Sequence, residues 1–199
     1  LTVDSKRRCQ KRQPARPRGG LTLVLVPLGE VEPRALAALA AGLRRYLQGE
    51  ALVGPTLPLP RSAYHARRQQ YLASDLLSLL RGVIPGGASV VLGVTEADLY
   101  APRLNFVFGQ AELGGKAGVV SLARLRPTWY GEPPDPARLD ERALKEAMHE
   151  LGHLLGAEHC PHPECVMYFS HGLADTDRKG YRPCPRCQAY YPLREPAPP

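Results

Sequence analysis

Apolar and polar positions alternate along the chain in a way that predicts strands and helices in turn. Leu21 to Pro27 is a continuous apolar run suited to a buried strand, and Glu32 to Gln48 carries leucine and alanine at helical spacing. A second strand is expected over Ala51 to Leu57, ended by Pro58 and Pro60. Arg67 to Arg81 sets Tyr71, Leu72, Leu76, Leu77 and Leu80 on one stripe, which predicts a second amphipathic helix. Ala88 to Val94 reads as a third buried strand. Leu104 to Phe108 and Ala117 to Arg124 read as two more, joined by a loop around Gly114 and Gly115. Pro127 to Asp135 is rich in Pro and Gly and is expected to be a surface loop that helps wall a cleft. A long helix should follow, capped by Asp135 or Asp140, with Leu144, Ala147, Met148, Leu151 and Leu155 packing it on the sheet. This alternation argues for an α/β fold with a mostly parallel sheet and crossover helices.

After Gly156 the regular signals fade, so the C-terminal part should be a small irregular lobe. Pieces below about 40 residues usually need a metal or disulfides for stability. The expected organisation is a basic, disordered tail over residues 1–20, a lobe over 21–156 ending in the long helix, a second lobe over 157–191, and an unstructured Pro-rich terminus over 192–199.

With 199 residues the chain can bury one good core. No run approaches the ~20 apolar residues of a membrane span. The net charge of +7 raises a nucleic-acid reading, yet residues 1–20 hold +6 of it and leave the remainder near neutral. The nucleic-acid arm is therefore the less favoured reading of the tail. No hydrophobic signal segment is seen at the N-terminus, so a cytoplasmic, monomeric protein without a membrane partner is expected.

The densest chemistry lies between residues 149 and 165. His149 and His153 are four apart, so on a helix their Cβ atoms lie on one face roughly 5–6 Å apart. One zinc ion bridges such a gap at about 2.0–2.1 Å per bond. Glu150 stands beside the pair, within reach of a water on the metal. Gly156 lets the chain leave the helix in a left-handed conformation, and His159 follows to approach the same metal. The bare His-Glu-x-x-His pattern also suits a solvated amphipathic helix. The glycine, the third histidine and Met167, eight residues after His159, match the longer zincin pattern with its methionine turn. Three imidazoles leave one position open, as a catalytic zinc requires, and such a zinc activates water and polarises a carbonyl, with Glu150 as general base.

Cys160, Cys165, Cys184 and Cys187 have the paired spacing of thiolate ligands to a tetrahedral structural zinc. Two disulfides are the rival reading, disfavoured by the reducing compartment expected for the chain. Cys160 directly follows His159, so a structural zinc would also fix the third histidine. Cys9 lies in the basic tail and is read as a free thiol without a role.

Taken together, Gly156, Cys160, Cys165, Met167, Cys184 and Cys187 after the histidine motif resemble the archaemetzincins, a metzincin branch that adds four cysteines to the long zinc motif. The resemblance covers residues 149–187. It extends more loosely through Gly93 to Tyr100, Leu104 to Gly109 and Val119 to Leu125. It implies a metzincin-like α+β fold with a twisted, mixed five-stranded sheet, two zinc ions per chain, one catalytic and one structural, and a peptide or protein substrate. Leu104 to Phe108 is the candidate exposed edge that pairs with an extended peptide, with an ordinary edge strand that takes no ligand as the equal alternative. Some metzincins carry a tyrosine two residues after the turn methionine. Here Phe169 holds that position, and Tyr168, one residue too early, is read as packing. His162 and His171 are read as solvated loop residues, with His171 close enough to reach the cleft. The alternatives are an inactive or regulatory zinc protein and a nucleic-acid module that uses the tail.

Overall fold

The computed structural model describes residues 20–194; the basic tail with Cys9 and residues 195–199 lie outside them. A five-stranded sheet forms the middle layer, in the order β2, β1, β5, β8, β7. Its strands are β1 (Leu21–Leu28), β2 (Gly49–Val53), β5 (Val90–Thr95), β7 (Gly109–Ala111) and β8 (Ala117–Ser121). The first four in spatial order run parallel, and β7 closes one edge antiparallel to β8. The sheet is therefore mixed. Short strands β3 (Tyr64–His65), β4 (Gln70–Leu72) and β6 (Leu99–Tyr100) make a second, three-stranded sheet.

The two-residue period of a strand divides the core between the two faces of the large sheet. Leu21, Leu23 and Leu25 of β1 point to one side, with Leu92 of β5 and Val120 of β8. There they meet α1 (Pro33–Tyr46), through Leu36, Leu39 and Leu43, and α3 (Pro136–Leu154), through Leu139, Ala143, Ala147, Met148 and Leu151. Val24, Val26 and Leu28 point to the other side, against Leu76, Leu77 and Leu80 of α2 (Ala73–Arg81). Each fully buried leucine contributes roughly 1.5–3 kcal/mol of transfer free energy. Both faces of β1 are covered, which explains an apolar run interrupted only by the half-buried Thr22.

The helix α3 starts where the sequence provides both signals. Pro136 takes the first turn, and the Asp135 carboxylate accepts from the Arg138 N–H at 3.0 Å. Asp140 has a different task, a two-oxygen ion pair with Arg34 on α1 at 2.8 and 2.9 Å. At the other end Gly156 has φ +91°, and the Ala157 N–H returns to the Gly152 carbonyl at 2.8 Å.

Several boundaries differ from expectation, each for a tertiary reason. Residues 104–108 are not the edge strand, which forms one step later over Gly109–Ala111. The Leu104 and Asn105 carbonyls are taken by the Arg68 guanidinium at 2.9 and 2.8 Å, and Asn105 also accepts from Gln70. Side chains thus occupy what a strand neighbour would need; Val107 makes a single bridge to Leu99, and the Phe108 carbonyl accepts from the Ser121 N–H at 2.8 Å where the edge strand is about to begin. Helix α2 begins at Ala73 rather than Arg67, because Gln69 turns through φ +54° and Gln70–Leu72 enter the small sheet. The loop 127–135 contains a 3₁₀ turn, Pro127–Tyr130, and does not line the cleft. Beyond Gly156 one short helix, α4 (Leu173–Arg178), was not signalled. Pro192 to Arg194 are docked: Gln48 N–H donates to the Pro192 carbonyl at 2.6 Å and Arg194 N–H to Tyr46 at 2.9 Å. Among the described residues no helix is long and apolar enough to cross a membrane.

Candidate active site

A cleft of about 880 Å³ runs along the β7 edge. Its floor is α3, with Glu146, His149, Glu150 and His153. One wall is the segment 101–113, and the other is formed by Glu158, His159 and residues 169–171. The helix places His149 and His153 one turn apart, and the reversal at Gly156 returns His159 to meet them. His153 Nε2 lies 3.1 Å from His149 Nε2 and 3.2 Å from His159 Nε2.

The tautomers of two of these rings follow from their other nitrogens. His149 Nδ1 is 2.7 Å from the Val166 carbonyl and His153 Nδ1 is 2.8 Å from the Ala157 carbonyl. A carbonyl only accepts, so each Nδ1 carries the proton and each Nε2 keeps its lone pair. Lone pairs facing one another at 3.1 Å repel unless a cation lies among them. Four ligands at about 2.0–2.1 Å in a tetrahedron stand about 3.3 Å apart, so the three nitrogens fit one zinc. Burial first, and then the Lys179 charge and His153, hold His149 well below its ordinary pKa. Burial, His153 and Lys179 bring His159 down to about 4. The imidazoles are therefore neutral and ready to bind a metal.

Glu150 is 3% exposed, and its Oε2 is buried without a hydrogen-bond partner among the described residues. Burial, reinforced by Glu146 one turn earlier, pushes its pKa well above the carboxylate range, against the pull of Lys179. The carboxylate lies directly under β7: a Cβ built on Gly109 would sit 2.5 Å from Oε1 and 2.7 Å from Cγ. Glycine at 109 is what lets a side chain of the floor pass so close to the edge strand.

Beneath the histidines Met167 is fully buried. Tyr191, 2% exposed, reaches in from the last turn of the chain, its hydroxyl donating to the Met148 carbonyl at 2.9 Å and lying 2.8 Å from Met167 Sδ. A Cβ at Gly152 would collide with both the Tyr191 hydroxyl and Met167 Sδ. The helix, the methionine turn and the chain end thus interlock at a point that has room only for glycine.

Cys160, Cys165, Cys184 and Cys187 are all free thiols, with sulfurs within 4.8 Å of one another. The Cys160–Cys184 separation of 3.8 Å is far beyond a disulfide bond of about 2.05 Å. It matches the edge of a tetrahedron with bonds of about 2.3 Å to zinc. Burial raises the Cys165 and Cys187 thiols. At Cys184 burial is outweighed by the Cys187 N–H and other donors, which bring it down to about 7. The Cys160 N–H donates to the Met167 carbonyl at 2.9 Å, tying this cluster to the methionine turn.

Sequence reasoning missed a third polar cluster. Lys179, with a side chain 0% exposed, contacts both Glu146 oxygens at 3.1 Å, and the Thr176 hydroxyl donates to Oε1 at 2.6 Å. With the pairing of Arg142 to Asp177 at 2.6 and 2.7 Å, it clamps α4 to α3 behind the histidines. No local spacing links residues 146 and 179, so only the fold reveals the pair. Phe169 and His171 line the cleft, the Phe169 ring 5.0 Å from His159 and 4.8 Å from His171. Tyr168 does not line it and lies under Arg178, and His162 is exposed outside it.

The model of peptidase family M54 matches residues 45–191. The archaemetzincin of Pyrococcus furiosus is 45% identical over 172 residues, covering 83% of this chain and 89% of that protein. The crystal structure of archaemetzincin from Methanopyrus kandleri is similar with a TM-score of 0.74 at 42% identity, covering 86% of this chain and 94% of that one. The archaemetzincin structure from Archaeoglobus fulgidus, complexed with malonate, gives 0.74 at 37% identity over 85% of this chain and 99% of that one. A family match over most of the sequence, with relatives of this similarity, establishes that the chain belongs to peptidase family M54, the archaemetzincins, and is a zinc metallopeptidase.

Proposed function

We propose that the chain hydrolyses peptide bonds at a zinc held by His149, His153 and His159, with Glu150 as general base. The convergence of the Nε2 atoms of His149 and His159 on that of His153, at 3.1 and 3.2 Å, beside a buried carboxylate with an unpartnered oxygen carries this reading. Zinc when bound supplies Lewis acidity, polarising a carbonyl and acidifying water. Glu150 takes the proton of the attacking water and passes it to the leaving amine nitrogen. Its pKa is raised, so it takes the proton of water more readily than an ordinary carboxylate while still releasing it to the far more basic amine nitrogen. The edge β7 faces the cleft with one side unpaired among the described residues, and an extended peptide can add to it as a further strand.

A second zinc, held by Cys160, Cys165, Cys184 and Cys187, is structural in this reading. Four thiolates close the coordination sphere, and the bond from Cys160 N–H to Met167 transmits its rigidity to His159 and the methionine turn. The test is a cleavage-site profile on a mixed peptide library, comparing wild type with Glu150→Ala at equal zinc content. Cleavage by wild type and a loss of at least about a hundredfold in the variant are expected. Equal rates would exclude Glu150 from the chemistry.

A further inference from the structure

One cationic side chain of the cleft is left without a protein partner among the described residues. Arg103 is the only arginine or lysine that lines it, is exposed, and among the described residues makes no ion pair or hydrogen bond. The arginines packed against this wall are committed: Arg124, over the Phe106 ring, to Asp98 at 2.7 and 2.8 Å, and Arg68 to the carbonyls of Leu104 and Asn105. Those bonds pin the wall and leave the Arg103 guanidinium free above it.

The backbone at this position is also costly. Ala101 to Leu104 form a turn closed by Leu104 N–H to the Ala101 carbonyl at 3.1 Å, with Pro102 second and Arg103 third at φ +68°. This is the pattern of a type II turn, whose third residue is ordinarily glycine. An arginine there works against local stability, and such conflicts collect where a side chain is needed for function.

We propose that Arg103 reads a carboxylate of the substrate on the C-terminal side of the scissile bond. The inference rests on the peptidase reading above. A peptide pairing antiparallel with β7, the more stable geometry, runs opposite to Gly109–Ala111, so its C-terminal part passes along residues 108–101. Arg103 is six positions before Gly109, which lies over Glu150. At about 3.3–3.6 Å per extended residue that is at most roughly 20 Å. The carboxylate therefore falls within about six residues after the scissile bond, as an acidic side chain or as the free C-terminus.

The test uses the zinc-loaded full chain and three versions of one cleavable peptide: neutral with an amidated end, neutral with a free C-terminus, and amidated with one glutamate after the scissile bond. Wild type should favour at least one carboxylate-bearing peptide over the neutral one by roughly tenfold in kcat/KM, the size of a charge-assisted hydrogen bond. The favoured peptide identifies the source of the carboxylate. Arg103→Gly should reduce that ratio to below about twofold while the Tm stays level or rises, because glycine relieves the turn. Arg103→Glu should invert the preference toward a fourth version that carries lysine in place of the glutamate. The same labelled peptides are titrated against Glu150→Gln protein by anisotropy, so that binding preference is measured even if no peptide is cleaved. Absence of any cleavage would count against the peptidase reading alone. A ratio that is equal in wild type and Arg103→Gly, in both cleavage and binding, would overturn the Arg103 assignment.

Discussion

Replacing Gly109 by alanine tests how closely the edge strand and Glu150 are fitted. Gly109 does not occupy the left-handed region, so alanine brings no backbone strain and the effect arises from contact alone. The added Cβ would lie 2.5 Å from Glu150 Oε1, 2.7 Å from its Cγ and 2.7 Å from the Val119 carbonyl oxygen. Comfortable carbon contacts are about 3.5–4.0 Å, so roughly 1 Å of movement is required. Val119 belongs to β8, held between β5 and β7, and gives way less easily than a side chain. Glu150 is the group that shifts. A displacement of about 1 Å at a reacting group costs on the order of a hundredfold in rate, or about 2.7 kcal/mol in the barrier. Overpacking should lower stability by about 1–3 kcal/mol. The assay is steady-state kcat and KM on one cleaved peptide, with zinc content and Tm measured on the same samples. A kcat lowered about a hundredfold with KM and zinc content close to wild type is expected. Wild-type kcat, or a loss explained by missing zinc, would refute the reasoning.

The clamp and the chain end can be probed in the same way. Lys179→Met leaves the Glu146 carboxylate buried without its cation and should cost about 3–5 kcal/mol in denaturant unfolding, whereas Lys179→Met with Glu146→Gln should recover most of it. If the double variant is no more stable than the single one, the pair does not act as a unit. Tyr191→Phe removes the bond to the Met148 carbonyl and should cost about 1 kcal/mol, a drop in Tm of roughly 2–4 °C in calorimetry. An unchanged Tm would show that the hydroxyl contributes nothing. Cys184→Ser should lower the zinc content by one ion per chain and loosen the C-terminal lobe in hydrogen exchange, and retention of the wild-type zinc content would argue against a four-thiolate site.

The residues with fixed local spacing were the most legible in the sequence. His149, His153 and Glu150 depend only on helical geometry, and the role of Gly156 depends only on where that helix must end. Strand β1 was equally clear because both its faces are buried and only Thr22 interrupts its apolar run. Residues 104–108 misled because an apolar, aromatic composition suits a strand, while the actual pairing is decided by Arg68 and Gln70 from another part of the chain. The same limit hid Tyr191 and Lys179. Their meaning lies in contacts with Met148 and Glu146, 43 and 33 residues away. Gly109 carried no signal, since nothing in the sequence says that Glu150 passes beneath it.

Two metal ions are expected, one on either side of the His159–Cys160 junction. Anomalous scattering at the zinc edge, from crystals of the zinc-loaded chain, tests this directly. Two peaks are expected, one about 2.0–2.1 Å from Nε2 of His149, His153 and His159, the other about 2.3 Å from the sulfurs of Cys160, Cys165, Cys184 and Cys187. A single peak, or disulfides among the four cysteines in place of the second, would contradict it.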